Sequence, residues 1–206
     1  MKPTTTTLLS VDGVLQGPGG PQEDRRDGFE RGGWAMGRGG DEVPNFIVEL
    51  YQNADAFLFG RWTFELFASY WGSMEAGSHP IAEALNTRPQ VRDIEHPHRP
   101  CWTNSTILSG DIAAAIGKLK ATPGGELQVH GSGTLVRWLL ANELVDEMNL
   151  IIVPVVVGEG TRLFPDRGLD LALDLVDSRA FPQGVTIQVY SPAGRPQYAA
   201  PGELEA

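Results

Sequence analysis

An α/β fold built on a largely parallel sheet with helices on both faces is predicted by three observations. Apolar strands alternate with amphipathic helical stretches along the chain. Two strands end in glycine just where a helical pattern starts, at "LFGRWTFE" and at "VHGSGTLVRWLL". A third, "LIIVPVVV", is apolar at every position, as a strand enclosed between two helical layers must be. The 206 residues fit a single domain over 1–192, followed by a loose Pro/Gly tail over 193–206.

Taken in order, Thr5 to Leu15 reads as a strand interrupted by the turn dipeptide Asp12-Gly13. Gln16 to Gly40 follows, with nine glycines and almost no periodicity. A stretch of that length is either a functional lid or a linker. Phe29, Trp34 and Met36 favour the lid, because a linker has no use for large apolar groups. A helix is expected over Asp41 to Gln52, with acidic residues at its positive end and Pro44 in its first turn. "ADAFLFG" is a short strand, and "RWTFELFASYW" carries Trp62, Leu66, Phe67 and Tyr70 at helical spacing, most simply as core. Gly72 to Pro100 reads as irregular apart from a short helix near Ile81 to Leu85. "STILSGDIAAAIGKLKA" gives a strand, a Ser109 or Asp111 cap, and a helix with Ile112, Ala115, Ile116 and Leu119 on one face. In "DEMNLIIVPVVVGEG" Pro154 cannot donate to a ladder, so the strand must be bulged or bordered there. Thr5–Val11, Ala56–Phe59, Leu127–His130, Leu150–Val157 and Val185–Tyr190 are expected as strands of one sheet.

Composition narrows the partners. A formal net charge of −10 argues against nucleic acid and anionic membranes, because nothing basic tracks a phosphate backbone. An anionic small molecule remains compatible, since a few local donors suffice to bind one. Cys101 is the only cysteine, so no disulfide framework is available and a reducing compartment is the simple reading. No apolar run reaches transmembrane length and the N-terminal text lacks the core of a signal peptide, so a cytoplasmic protein is expected.

Two strand-to-helix corners have the form of phosphate sites. At the first, Gly60 ends a strand, Arg61 brings charge and Thr63 offers a hydroxyl. At the second stand Gly131, Ser132, Gly133 and Thr134. The first N–H groups of a helix lack intrahelical partners and the helix dipole favours an anion there, while glycine lets the backbone come close. Each corner alone is also an ordinary way to turn a chain, and neither matches a Walker loop or the dinucleotide fingerprint.

The order "LLSVDGVLQGP", "FLFGRWTFE", "GELQVHGSGTLVRWLL", "LVDEMNLIIVPVVVGEGTRLF" resembles the dihydrofolate-reductase-like family, in the branch related to the reductase domain of bacterial riboflavin biosynthesis. The resemblance runs from about Thr5 to Pro192. It implies a three-layer fold with a mixed, mostly parallel sheet, NADPH as hydride donor, a small conjugated heterocycle (pterin- or pyrimidine-like) as substrate, and a homodimer. Carried over by position, Val11, Gly13 and Val14 border the nicotinamide. Gly60, Arg61 and Thr63 hold NADPH phosphates, and Gly131, Ser132, Gly133 and Thr134 meet the pyrophosphate. The zinc deaminase half of the riboflavin enzyme has no counterpart in this sequence.

One segment departs from that branch. Where K-Y-V-x-S-x-T-L is expected, "QVRDIEHPHRP" (Gln90 to Pro100) is charged, rich in Pro and His, and reads as no strand. It can be encoded so that reading one base later gives R-Y-V-T-S-S-T-L-T-D-P, close to the branch pattern, which points to a compensated frameshift. The departure also favours a rival reading, a non-catalytic dimeric small-molecule-binding relative that has lost or weakened cofactor binding. His96 and His98 lie in this text and Cys101 follows it, but zinc needs a fourth ligand and a supporting shell, so no metal site is assigned.

For the chemistry, Asp12 and His130 are the candidates to handle a proton. Asp12 can equally shape only the turn before Gly13, and His130 can equally only hydrogen-bond substrate. In the long loop, Glu23, Asp24, Phe29 and Trp34 can contact substrate, with Trp34 the aromatic best suited to stack on a flat heterocycle.

Overall fold

The computed structural model describes residues 1–93, 102 and 104–199. Its strands are β1 (Lys2–Ser10), β2 (Ala54–Phe59), β3 (Gln90–Asp93), β4 (Ser105–Leu108), β5 (Glu126–His130), β6 (Glu147–Val153), β7 (Leu173–Ala180) and β8 (Thr186–Pro192). The helices are α1 (Glu42–Asn53), α2 (Arg61–Tyr70), α3 (Pro80–Thr87), α4 (Ile112–Ala121) and α5 (Gly133–Ala141). The strands form one sheet in the order β4-β3-β2-β5-β1-β6-β8-β7. It is parallel from β4 to β6, and the hairpin partners β8 and β7 are antiparallel.

Period-two alternation distributes the apolar side chains between two layers. From β2, Ala56 and Leu58 pack with Ile116 of α4 and Leu135, Val136 and Leu139 of α5. Phe57 and Phe59 face the other way, against Tyr51 of α1, Phe64 of α2 and Ile81 and Leu85 of α3. β5 follows the same rule: Leu127 and Val129 join the α4–α5 layer, whereas His130 turns toward α1. Pro80 opens α3 at a position where its missing N–H costs nothing, and the Asp111 side chain caps α4 by accepting from the Ala114 N–H at 3.0 Å.

The five expected strands are all present in this sheet, and the structure shifts two expectations. β6 ends at Val153, so residues 154–157 are not strand: at Pro154 the ladder loses its donor and the chain turns, with the Val155 N–H bonded to the Val153 carbonyl at 2.7 Å. The segment read as no strand does form one at its start, since Gln90–Asp93 pairs in parallel with both β2 and β4. Backbone ladder bonds on both sides impose the strand despite its side chains. The misfit remains visible: Gln90 and Arg92 are buried, and Gln90 Oε1 and Arg92 Nε have no hydrogen-bond partner among the described residues. The Arg92 guanidinium lies 4.5 Å from the Phe64 ring centre. His96, His98 and Cys101 lie outside the described residues. β7 is a further finding, because its text carries little apolar alternation and none of its eight residues is buried.

Candidate active site

Parallel strands β1, β2 and β5 direct their carboxyl ends to one edge of the sheet, where α2 and α5 begin and α1 packs alongside. In such folds ligands bind in that crevice. A cavity of about 280 Å³ occupies it. Thr6, Thr7 and Leu8 of β1 and His130 form its floor; Trp62, Thr63 and Leu66 of α2 and the Gly131–Thr134 corner line one side; Ile47 and Tyr51 of α1 line another. Gln16, Gly17, Pro18, Glu23, Asp24, Arg26 and Asp27 close it from the long loop.

The two glycine corners meet. A Cβ on Gly60 would collide with the Ser132 side chain, 2.8 Å from its Cβ, so only glycine allows the two loops to touch. Ser132 itself adopts the left-handed conformation, φ 52° and ψ 83°, which costs a non-glycine residue energy and is typical of functional corners. No side chain caps α5, so its first N–H groups are left for whatever enters the cavity. Gly133 serves packing as well as approach: a Cβ there would sit 2.7 Å from Leu15 Cδ2.

Of the residues singled out in the sequence, Thr63, His130, Gly131, Ser132, Gly133 and Thr134 line the cavity together. Gly60 supports Ser132 from behind, and Arg61 is solvent-exposed at the first turn of α2. Val11 is 62% exposed and turned to solvent, Gly13 makes the turn with φ 78°, and Val14 is wholly buried. None of these three reaches the cavity; the neighbouring Leu15 and Gln16 do.

Both proton-handling candidates have other work. The Asp12 carboxylate accepts from the Ser10 hydroxyl at 2.7 Å and from the Val157 and Gly158 N–H groups at 2.9 and 2.8 Å, with Arg162 at 3.6 Å. These bonds, that from Ser10 foremost, hold its pKa well below the usual carboxylate range, so it stays ionised and ties the β1 turn to the segment after β6. His130 is buried and stacked on Tyr51, with ring centres 4.0 Å apart and planes at 17°. The Gln128 amide donates through Nε2 to the Leu50 carbonyl at 2.7 Å and to Glu126 at 2.6 Å, which leaves its Oε1 for His130 Nε2 at 2.9 Å. Nε2 therefore carries the proton. Desolvation pushes the His130 pKa down to about 3, so the ring is neutral and forms an aromatic platform instead of a general acid.

The loop aromatics are corrected too. Phe29 packs with Val14 and Val157 in a small core of its own, and Trp34 rests against that core with Nε1 donating to the Gln16 carbonyl at 2.8 Å. Neither faces the cavity, because burying a large ring inside the loop gains more than leaving it at the rim. The loop's glycines let two backbone segments touch: a Cβ on Gly32 would meet the Gly20 carbonyl at 2.7 Å. Gln16 is the buried hub, accepting from the Thr161 N–H at 2.9 Å and donating to the Arg26 carbonyl at 3.1 Å. The sequence reading missed Gln16 and Tyr51. The i,i+4 pair Ile47–Tyr51 on one face of α1 was a usable signal for the second; nothing local marks the first.

Among the described residues no three His, Cys, Asp or Glu side chains gather to hold a metal, and no helix is long and apolar enough to cross a membrane.

A mixed α/β sheet with a crevice at the strand ends and two converging glycine corners defines a dihydrofolate-reductase-like domain. Residues 3–187 match the RibD C-terminal domain, and the chain belongs to that family. Two Bacillus subtilis proteins, both described as uncharacterised, are similar to it. YyaP is 30% identical over 153 residues, covering 70% of this chain and 77% of its own. YwjB is 24% identical over 179 residues, covering 87% and 91%. Among solved structures, a Shewanella sp. PV-4 protein provisionally described as a riboflavin biosynthesis protein superposes with a TM-score of 0.70 at 19% identity, over 94% of this chain and 99% of that one. A pyrimidine reductase-like protein from Corynebacterium diphtheriae gives 0.60 at 13%, over 93% and 92%.

Proposed function

We propose that this chain is an NADPH-dependent reductase of a small conjugated heterocycle. The observation that carries the reading is the junction at Gly60 and Ser132, where an uncapped helix start and a glycine-lined corner border the cavity beside Thr63. That donor set fits a pyrophosphate: backbone N–H groups with little side-chain cover, next to a hydroxyl and under a helix dipole. When bound, the cofactor supplies the hydride. Gly131 to Thr134 and Thr63 would hold its phosphates, and exposed Arg61 would reach a 2′-phosphate at the rim. The Tyr51–His130 stack offers a flat, desolvated surface on which a heterocycle can lie, which orients it and excludes water.

The cofactor assignment is tested by titrating NADPH and NADH into wild type and Arg61→Ala. A charge-assisted contact contributes about 1.5–3 kcal/mol, so Arg61→Ala should weaken NADPH by about tenfold or more and NADH little. Equal loss for both, or none for either, would contradict the role of Arg61. The alternative, a non-catalytic binding protein that has lost the cofactor, is favoured by one feature, the buried Gln90 and Arg92 in β3 with their unpaired polar atoms. It predicts no NADPH binding by well-folded protein.

A further inference from the structure

A second cavity, of about 320 Å³, lies away from the crevice and shares no lining residue with it. One wall is α5, which presents Arg137 and Trp138; the other is the chain between β6 and β7, which presents Phe164, Arg167, Leu169 and Leu171. That outer wall forms no helix or strand of its own, but it is fastened at both ends. Leu163 is fully buried at one end, and at the other Ala172 exchanges two backbone hydrogen bonds of 2.8 Å with Ala193 and Gly194. The groove is thus built into the fold.

Its lining combines accessible apolar surface with uncompensated positive charge. Trp138 is 36% exposed, Phe164 45% and Leu169 49%. Converging apolar groups left in contact with water mark a binding surface, because a ligand that covers them removes that contact. The chain carries 26 acidic against 16 basic residues, yet the charged groups in this lining are two arginines and no carboxylate. Neither arginine is in an ion pair among the described residues. Asp170, close by in sequence, is taken by Arg195 at 3.2 Å. Arg137 is held in place by donating through Nη1 to the Arg162 and Leu163 carbonyls at 3.0 and 3.3 Å, neutral partners that leave its charge unbalanced.

We propose that this groove is a binding site for a small aromatic carboxylate, with its ring among Trp138, Phe164 and Leu169 and its carboxylate on Arg137 and Arg167. At about 320 Å³ the groove falls within the roughly 300–1,000 Å³ of small-molecule sites. Trp138 and Phe164 favour a flat ring, which packs on them face or edge. A guanidinium matches a carboxylate through paired N–H donors, and the contact strengthens where apolar walls keep water back. A neutral ring would leave both cations uncompensated, and a phosphate dianion would bring a heavier hydration shell against the apolar walls. The site stands independently of the reductase reading.

The experiment is calorimetry with 1-naphthoate and its neutral analogue 1-naphthamide on wild type, Arg167→Gln, Leu169→Asp and Trp62→Ala. Arg167 and Leu169 are exposed, so their variants keep the core, and a thermal melt checks that each folds. Trp62 lines the crevice and serves as the control for binding there. Naphthoate should bind wild type at one site per chain, and naphthamide about tenfold more weakly or worse, as loss of a charge-assisted contact requires. Arg167→Gln and Leu169→Asp should each weaken naphthoate by about tenfold or more, whereas Trp62→Ala should leave it unchanged. The proposal is overturned if naphthoate fails to bind at millimolar concentration, if naphthamide binds as tightly, or if either groove variant keeps wild-type affinity. It is overturned equally if Trp62→Ala weakens naphthoate as much as Arg167→Gln does, which would place the probe in the crevice. Light scattering closes the remaining route: a particle mass that falls when naphthoate is added would make the groove an interface between copies of this chain instead.

Discussion

His130 shows how one residue's environment sets its chemistry. In the unfolded chain it takes up a proton near pH 6.5, and in the folded chain only near 3. Between those values the unfolded state holds more protons, so stability is fully present above about pH 6.5 and is lost as pH falls toward 3. The slope should approach about 1.4 kcal/mol per pH unit. His130→Phe keeps an aromatic ring on Tyr51 and removes the titration. Urea unfolding across this range should therefore show a flatter pH dependence in the variant; an unchanged slope would mean that the imidazole is hydrated. Gly133 gives a second prediction. Because a Cβ there meets Leu15, Gly133→Val should lose roughly 1–3 kcal/mol of stability through overpacking, besides narrowing the phosphate corner. An unchanged melting temperature would leave Gly133 a role in ligand approach alone. Residue identity was legible where a corner demanded it, at Gly60 and at Gly131 to Thr134. It misled at Phe29, Trp34 and His130, because composition marks an aromatic or a histidine without saying which way it turns.

At the scale of elements, the strands and helices with clear periodicity were legible, including the Asp111 cap and the interruption at Pro154. Two were not. β7 escaped because an edge strand with no buried residue lacks the apolar alternation that identifies a strand. β3 escaped because Gln90 and Arg92 occupy inward positions, and only pairing with β2 and β4 on either side imposes the conformation. The cost of that conflict is measurable. Arg92 is buried with an unpaired Nε, so Arg92→Val should raise the urea midpoint, since an apolar β-branched side chain removes an unsatisfied polar group from a strand. A lower midpoint would show that the guanidinium over Phe64 stabilises more than its burial costs. Valine is also the residue that the one-base-shifted reading places at this position, so sequencing the gene through this stretch tests the frameshift independently. A clean read without such out-of-frame coding would dismiss it.

Across the whole molecule, an open sheet ends in a hairpin whose outer strand is uncovered, with Leu175 57% and Val176 59% exposed. Exposed apolar side chains on an edge strand invite pairing with another copy, and a homodimer through β7 is the expected assembly. Light scattering at micromolar concentration should report twice the chain mass, and Val176→Lys should lower it toward the monomer. Phe164 is also exposed, whereas its neighbour Leu163 is fully buried. The proposed function rests on the junction where the Gly60 and Gly131–Thr134 corners border the cavity. The account therefore depends on what that corner binds. Titration of the wild-type protein with NADPH, followed by nicotinamide fluorescence, tests this most directly. The account predicts saturable binding at one site per chain, weakened by Gly131→Val in protein that still folds. Well-folded wild type that leaves the fluorescence unchanged at any NADPH concentration would contradict it.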